Sequence, residues 1–154
     1  KTTTAINLAA SLAALEHPTL LIDIDPQSNS SSGVGFDIKT IASSIYDVLV
    51  DGISIDECKL KTEMPFLDLV PANINLVGAE IEMIDLPNRE RILSTILEKV
   101  RNSYDFIIID CSPSLGLITA SLGTSLKIEM LNMVSLVGSV KVSFTKPILS
   151  MSGS

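Results

Sequence analysis

The chain has 154 residues, 46% of them hydrophobic, with eight glycines, seven prolines and a formal net charge of −7. That is enough for one domain with a real core, and it excludes a disordered chain. No apolar run approaches the roughly 18 residues of a membrane span and no signal peptide is visible, while the acidic balance argues against strong binding of a nucleic-acid backbone by this chain alone.

The chain begins Lys1-Thr2-Thr3-Thr4 without an initiator methionine, so further sequence is expected upstream. Thr2 to Leu15 reads as a helix, with Ala5, Ile6, Ala9, Leu12 and Ala13 on one stripe and small residues that allow close packing on a sheet. Pro18 ends it, because the residue before a proline disfavours helix. His17 lies in that turn and reads as structural or surface. Thr19–Ile24 then forms a continuous aliphatic strand, expected to be buried on both faces of a parallel sheet. Asp23 and Asp25, spaced i, i+2, point to one side at its carboxyl end, where open α/β sheets bind ligands. Burying an unpaired carboxylate is expensive. Two explanations remain open at this point: a wet strand end that caps the next loop, or a phosphate-and-metal site.

Residues 27–36 are polar, small and glycine-containing and read as a loop, either a plain linker or a segment that responds to a ligand. Ile41 to Val50 reads as a helix with Ile41, Ile45, Val48 and Leu49 inward, stopped at Asp51-Gly52. A helical turn is expected over 54–59, a short strand over 67–71 and a weak helix over 75–84. Pro87 to Arg101 is the clearest helix, with proline at its start and Lys99 and Arg101 at its end. Tyr104 to Asp110 is a second buried strand ending in a carboxylate. Cys111 follows it, but with no plausible histidine partner it reads as a small packing residue; with Cys58 it makes no metal or disulfide pattern, which fits a reducing cytoplasm. Strands alternate with helices, so the expected fold is α/β with a mostly parallel sheet flanked by helices. Residues 121–154 hold three of the 11 basic and one of the 18 acidic residues, are rich in serine and show no clear period. The expected division is therefore 1–120 as the folded domain and 121–154 as a divergent tail.

Three pieces line up in this order: Lys1-Thr2 before a helix, Asp23 and Asp25 ending one strand, Asp110 ending another. A P-loop closes on Lys-[Ser/Thr], whose lysine reaches the phosphates and whose hydroxyl binds Mg²⁺. A helix amino end attracts phosphate. Lys1 with Thr2–Ala9, the block LLIDIDPQSN at 20–29, and FIIIDCSPSLGL at 106–117 resemble the deviant Walker A ATPases of the ParA/Soj family, which also includes MinD-like proteins. The family's second block usually reads LLxDxDPQGN and its third IIIDCPPSLGL. The likeness covers about residues 1–119.

The resemblance implies a three-layer P-loop fold, ATP and Mg²⁺ as cofactors, and chromosome or plasmid partitioning. It further implies an ATP-dependent homodimer that binds DNA without sequence preference, a ParB-like partner that stimulates hydrolysis, and a cytoplasmic, nucleoid-associated protein with no membrane span. By the same resemblance Lys1 is the P-loop lysine, Thr2 the Mg²⁺ ligand, Thr3 a phosphate contact, Asp25 the residue that orients water, Asp110 the Walker B carboxylate acting on the metal through water, and Asp23 a group behind them. The family's P-loop glycines and signature lysine do not stand in this sequence, and residues 122–142 match none of its later segments. This chain is therefore expected to hydrolyse ATP poorly or not at all, while its parent does. The alternative is a truncated, non-catalytic α/β remnant acting at most as an interaction module.

Overall fold

The computed structural model describes residues 2–112, 133–136 and 140–144. Helix α1 (Thr2–Ala14) leads through a short turn into strand β1 (Thr19–Ile24). A five-residue helix α2 (Asn29–Gly33) follows, then a widened helical turn at Asp47–Asp51 and a short α3 (Ile55–Cys58). Next come β2 (Leu60–Lys61), β3 (Leu67–Val70), α4 (Leu76–Glu82) and α5 (Ile92–Val100). β4 (Phe106–Cys111), β5 (Met133–Leu136) and β6 (Val140–Phe144) complete the described strands. The six strands form one sheet in the order β2-β3-β1-β4-β6-β5. β3 and β4 flank β1 and run parallel to it, whereas β2 and β6 run against their neighbours. The sheet is thus mixed but mostly of one direction.

β1 sits at the centre because every one of its side chains is buried. Its residues alternate between two cores, as a strand covered on both faces requires. Leu21, with Leu69 and Ile108 beside it, packs against Ala5, Ala9 and Ala13 of α1. Leu20 and Ile22, with Ile107 and Ile109, pack against Ile45, Leu76 and Leu97 on the other side. The alanines let α1 lie close to the sheet. Each fully buried Leu or Ile contributes about 1.5–3 kcal/mol relative to exposure, so the two cores hold three layers together. The residue parity that places Leu21 on the α1 side places Asp23 there too, and Asp110 shares the parity of Ile108.

Four sequence expectations change in the structure. The helix expected from Pro87 starts later, as a 3-10 turn at Arg89–Arg91 that becomes α5 at Ile92, because Asn88 takes a left-handed backbone (φ 54°). The stretch 41–50 is helical only in its second half. Ser44 donates its amide to Asp47 Oδ2 (2.7 Å) and accepts from the amide of Tyr46 (3.2 Å), so a serine cap starts the helix there rather than at Ile41. The loop over 27–36 contains α2. Residues 133–136 and 140–144, where the sequence has no period, add two strands to the sheet beside β4. The helix expected from Leu115 lies outside the described residues.

Candidate functional site

The carboxyl ends of β1 and β4 meet at one place. Asp23 and Asp110 are paired in register on these adjacent parallel strands, with backbones about 4.8 Å apart. Both are almost completely buried, at 0% and 2% exposure. α1 is joined to β1 by four residues, so it folds back along the strand and brings its amino end to this same end of the sheet. Thr2 is half-buried in that first turn and Thr3 is exposed. Lys1 lies outside the described residues.

α2 closes the site from above and is tied to both carboxylates. Ser31 donates its amide (2.8 Å) and its hydroxyl (2.7 Å) to Asp23 Oδ2. The same hydroxyl accepts from the amide of Ala72 beyond β3 (3.2 Å). Asp25 donates its amide to Asp23 Oδ1 (3.1 Å). Both oxygens of Asp23 are therefore engaged in holding local structure. Burial raises its pKa to about 6; the Ser31 bonds pull it down and the neighbouring Asp110 charge pushes it up. Asp110 is different. Ser30 donates its hydroxyl to Asp110 Oδ2 (2.6 Å), and among the described residues no side chain donates to Oδ1. α2 is seated against α1 by Gly33, where a Cβ would collide with Ile6 Cδ1, so the helix start, the strand ends and α2 form one unit.

Asp25 is half-buried at the mouth, and its Oδ1 accepts from the amide of Gln27 (2.9 Å), an Asx turn that aims the carboxylate. Ser28 follows in the left-handed region at φ 53°. Its hydroxyl is buried without a partner among the described residues. The resemblance puts glycine at this position, which explains the conformation: the backbone keeps a glycine shape with a serine in it.

The structure thus brings Asp23, Asp25 and Asp110 together at the end of the sheet where α1 begins. Ser30 and Ser31 are the members of the site that the sequence did not single out; the only signal for them was a run of small hydroxyl residues after two carboxylates. Among the described residues no three His, Cys, Asp or Glu side chains cluster closely enough to hold a metal by themselves. Magnesium does not need such a cage: it keeps several waters and takes one or two carboxylates plus phosphate oxygens. A carboxylate with one oxygen unbonded among the described residues, beside a helix start, fits that coordination. No helix among the described residues is long and apolar enough to cross a membrane.

A family model described as AAA domain matches residues 1–128. The chain belongs to this family, in its ParA/Soj branch. It is 50% identical over 119 residues to the chromosome partitioning protein ParA of Myxococcus xanthus, a match covering 77% of this chain and 42% of that protein. It is 47% identical over 119 residues to the sporulation initiation inhibitor protein Soj of Bacillus subtilis, covering 77% of this chain and 47% of the relative. The chain therefore spans less than half the length of these relatives. Among solved structures, cobyrinic acid a,c-diamide synthase from Mycobacterium smegmatis with bound ATP analogue and magnesium superposes with a TM-score of 0.73 at 34% identity, over 78% of this chain and 49% of that one. The P-loop ATPase fold expected from the sequence is the fold observed.

Proposed function

We propose that this chain carries the Mg-ATP site of a ParA-type partition ATPase. The observation that supports it best is the side-by-side placement of Asp23 and Asp110 on the α1 face of the sheet, with one oxygen of Asp110 unbonded among the described residues. Lys1 is assigned to the β- and γ-phosphates, Thr2 to the metal, Thr3 to phosphate, and Asp110 to the waters around the metal. Asp25, aimed by its turn at the mouth, orients the attacking water. Asp23, with both oxygens engaged, holds α2 in place behind these groups. Magnesium, when bound, offsets the charge that develops on the phosphates. In the intact protein the cycle is ATP-dependent homodimerisation, DNA binding without sequence preference, and release after hydrolysis stimulated by a ParB-like partner, serving a chromosome or plasmid in the cytoplasm at the nucleoid.

Binding of a fluorescent ATP analogue in the presence of Mg²⁺ tests the assignment. Asp110→Ala is expected to weaken Mg²⁺-dependent affinity about 100-fold, or roughly 2.7 kcal/mol. An unmodified chain that binds nothing at millimolar ATP favours the non-catalytic remnant instead.

A further inference from the structure

Ser30 is 0% exposed, and among the described residues its hydroxyl has one side-chain partner, Asp110 Oδ2 at 2.6 Å. Its neighbour Ser31 serves a closed structural network with Asp23 and Ala72. Adjacent serines of one short helix therefore divide their work: one ties α2 to the strand behind, the other reaches the carboxylate whose second oxygen is unbonded among the described residues. An ionised carboxylate only accepts hydrogen bonds, so a hydroxyl fixed on one oxygen sets the plane of the group and the direction of the other. Nothing else among the described side chains bonds the Asp110 carboxylate.

We propose that Ser30 is the positioning residue for Asp110: it occupies Oδ2 and holds Oδ1 toward the hydrated magnesium of the nucleotide. This rests on the nucleotide reading above. A purely structural Ser30 would satisfy a buried acid without affecting how the metal is held. A positioning Ser30 affects the metal specifically, because partners behind a ligand typically change metal affinity 10–100-fold.

The test measures binding of the fluorescent ATP analogue by this chain, once in EDTA and once against rising MgCl₂. For Ser30→Ala the Mg²⁺ concentration at half-saturation is expected to rise about tenfold or more. Nucleotide affinity in EDTA and the circular dichroism spectrum are expected to stay as in the unmodified chain. Ser30→Thr, which keeps the hydroxyl, is expected to restore the original Mg²⁺ dependence. If Ser30→Ala keeps the original half-saturation, or loses affinity equally with and without Mg²⁺, Ser30 does not position Asp110. If the unmodified chain binds the analogue well but Mg²⁺ makes no difference to it, the metal assignment of Asp110 and the role of Ser30 both fall. If the unmodified chain does not bind the analogue under either condition, the nucleotide reading fails first and takes this proposal with it.

Discussion

At the amino end of the sheet, Asp68 on β3 is 8% exposed and meets a phenol and an ammonium: Tyr104 Oη donates to its Oδ2, and Lys61 Nζ lies 3.0 Å from its Oδ1. His17 Nδ1 lies 3.3 Å from Asp105 Oδ2 nearby, and its ring stands edge-on to Phe106. At the carboxyl end, Asp23 and Asp110 are buried at least as deeply, yet among the described residues their side-chain partners are serine hydroxyls and no cation. Both ends satisfy hydrogen bonds, but among the described residues only the amino end supplies opposite charge. Stability alone gives no reason for two adjacent buried acids with no counter-charge among the described residues. The contrast fits the proposal that Asp110 holds a ligand, while Asp68 and Asp23 serve the fold.

The largest expected effect is on pH dependence at the carboxyl end. The Asp23 carboxyl is raised from 3.8 to about 6, so its protonated form favours folding. That contribution is complete below pH 3.8 and is lost as pH rises through about 6, a change of about 3 kcal/mol. A ¹³C-carboxyl titration should place its midpoint near 6; a midpoint at or below 4 would mean that a positive group balances this end as well, and the contrast between the ends would disappear.

Tyr104→Phe probes the other end. It removes the phenol from Asp68 but leaves Lys61, which is largely exposed and contributes little. Unfolding stability should fall by about 1–2 kcal/mol, with Mg²⁺-dependent nucleotide binding unchanged. Burial, followed by the bond to Asp68, holds the Tyr104 hydroxyl well above the usual tyrosine range, so this loss should not vary between neutral and mildly alkaline pH. A loss of nucleotide binding in this variant would couple the two ends and remove the distinction.

The smallest expected effect is a gain. Ser28 adopts a left-handed backbone and buries a hydroxyl without a partner among the described residues. Ser28→Gly relieves both penalties and costs some unfolded-chain entropy, so denaturant unfolding should show a net stabilisation of about 1 kcal/mol. Strain at this place fits a functional loop. An unchanged or lowered midpoint would show that the serine is accommodated without penalty.

Much of the frame was legible in the sequence because burial imposes period. The run Leu20–Ile24 has no polar residue before Asp23 and became β1 with the bounds expected. α1 and the helix ending near Arg101 were legible for the same reason, each carrying an apolar stripe. α2 was not, since five residues span barely more than one turn and three serines give no stripe. β2, with two residues, has no pattern to read. The late start at Ser44 could have been found: Ser44 and Asp47 have the spacing of a capping box, but the apolar Ile41 masked it. At the site, strand-end acids announce themselves against aliphatic neighbours. The serines that hold them look like any polar loop until a fold brings them within 3 Å.

β4 carries Phe106 to Ile109 as an unbroken apolar row, and its outer backbone groups are paired by β6, from Phe106 opposite Phe144 to Asp110 opposite Val140. Without that partner, β4 would present a bare row of amides and carbonyls on one of the stickiest segments of the chain, a template for recruiting strands from other molecules. The hairpin formed by β5 and β6 therefore acts as a guard rail. Shortening the protein to end after β4 should turn a dispersed protein into one that precipitates.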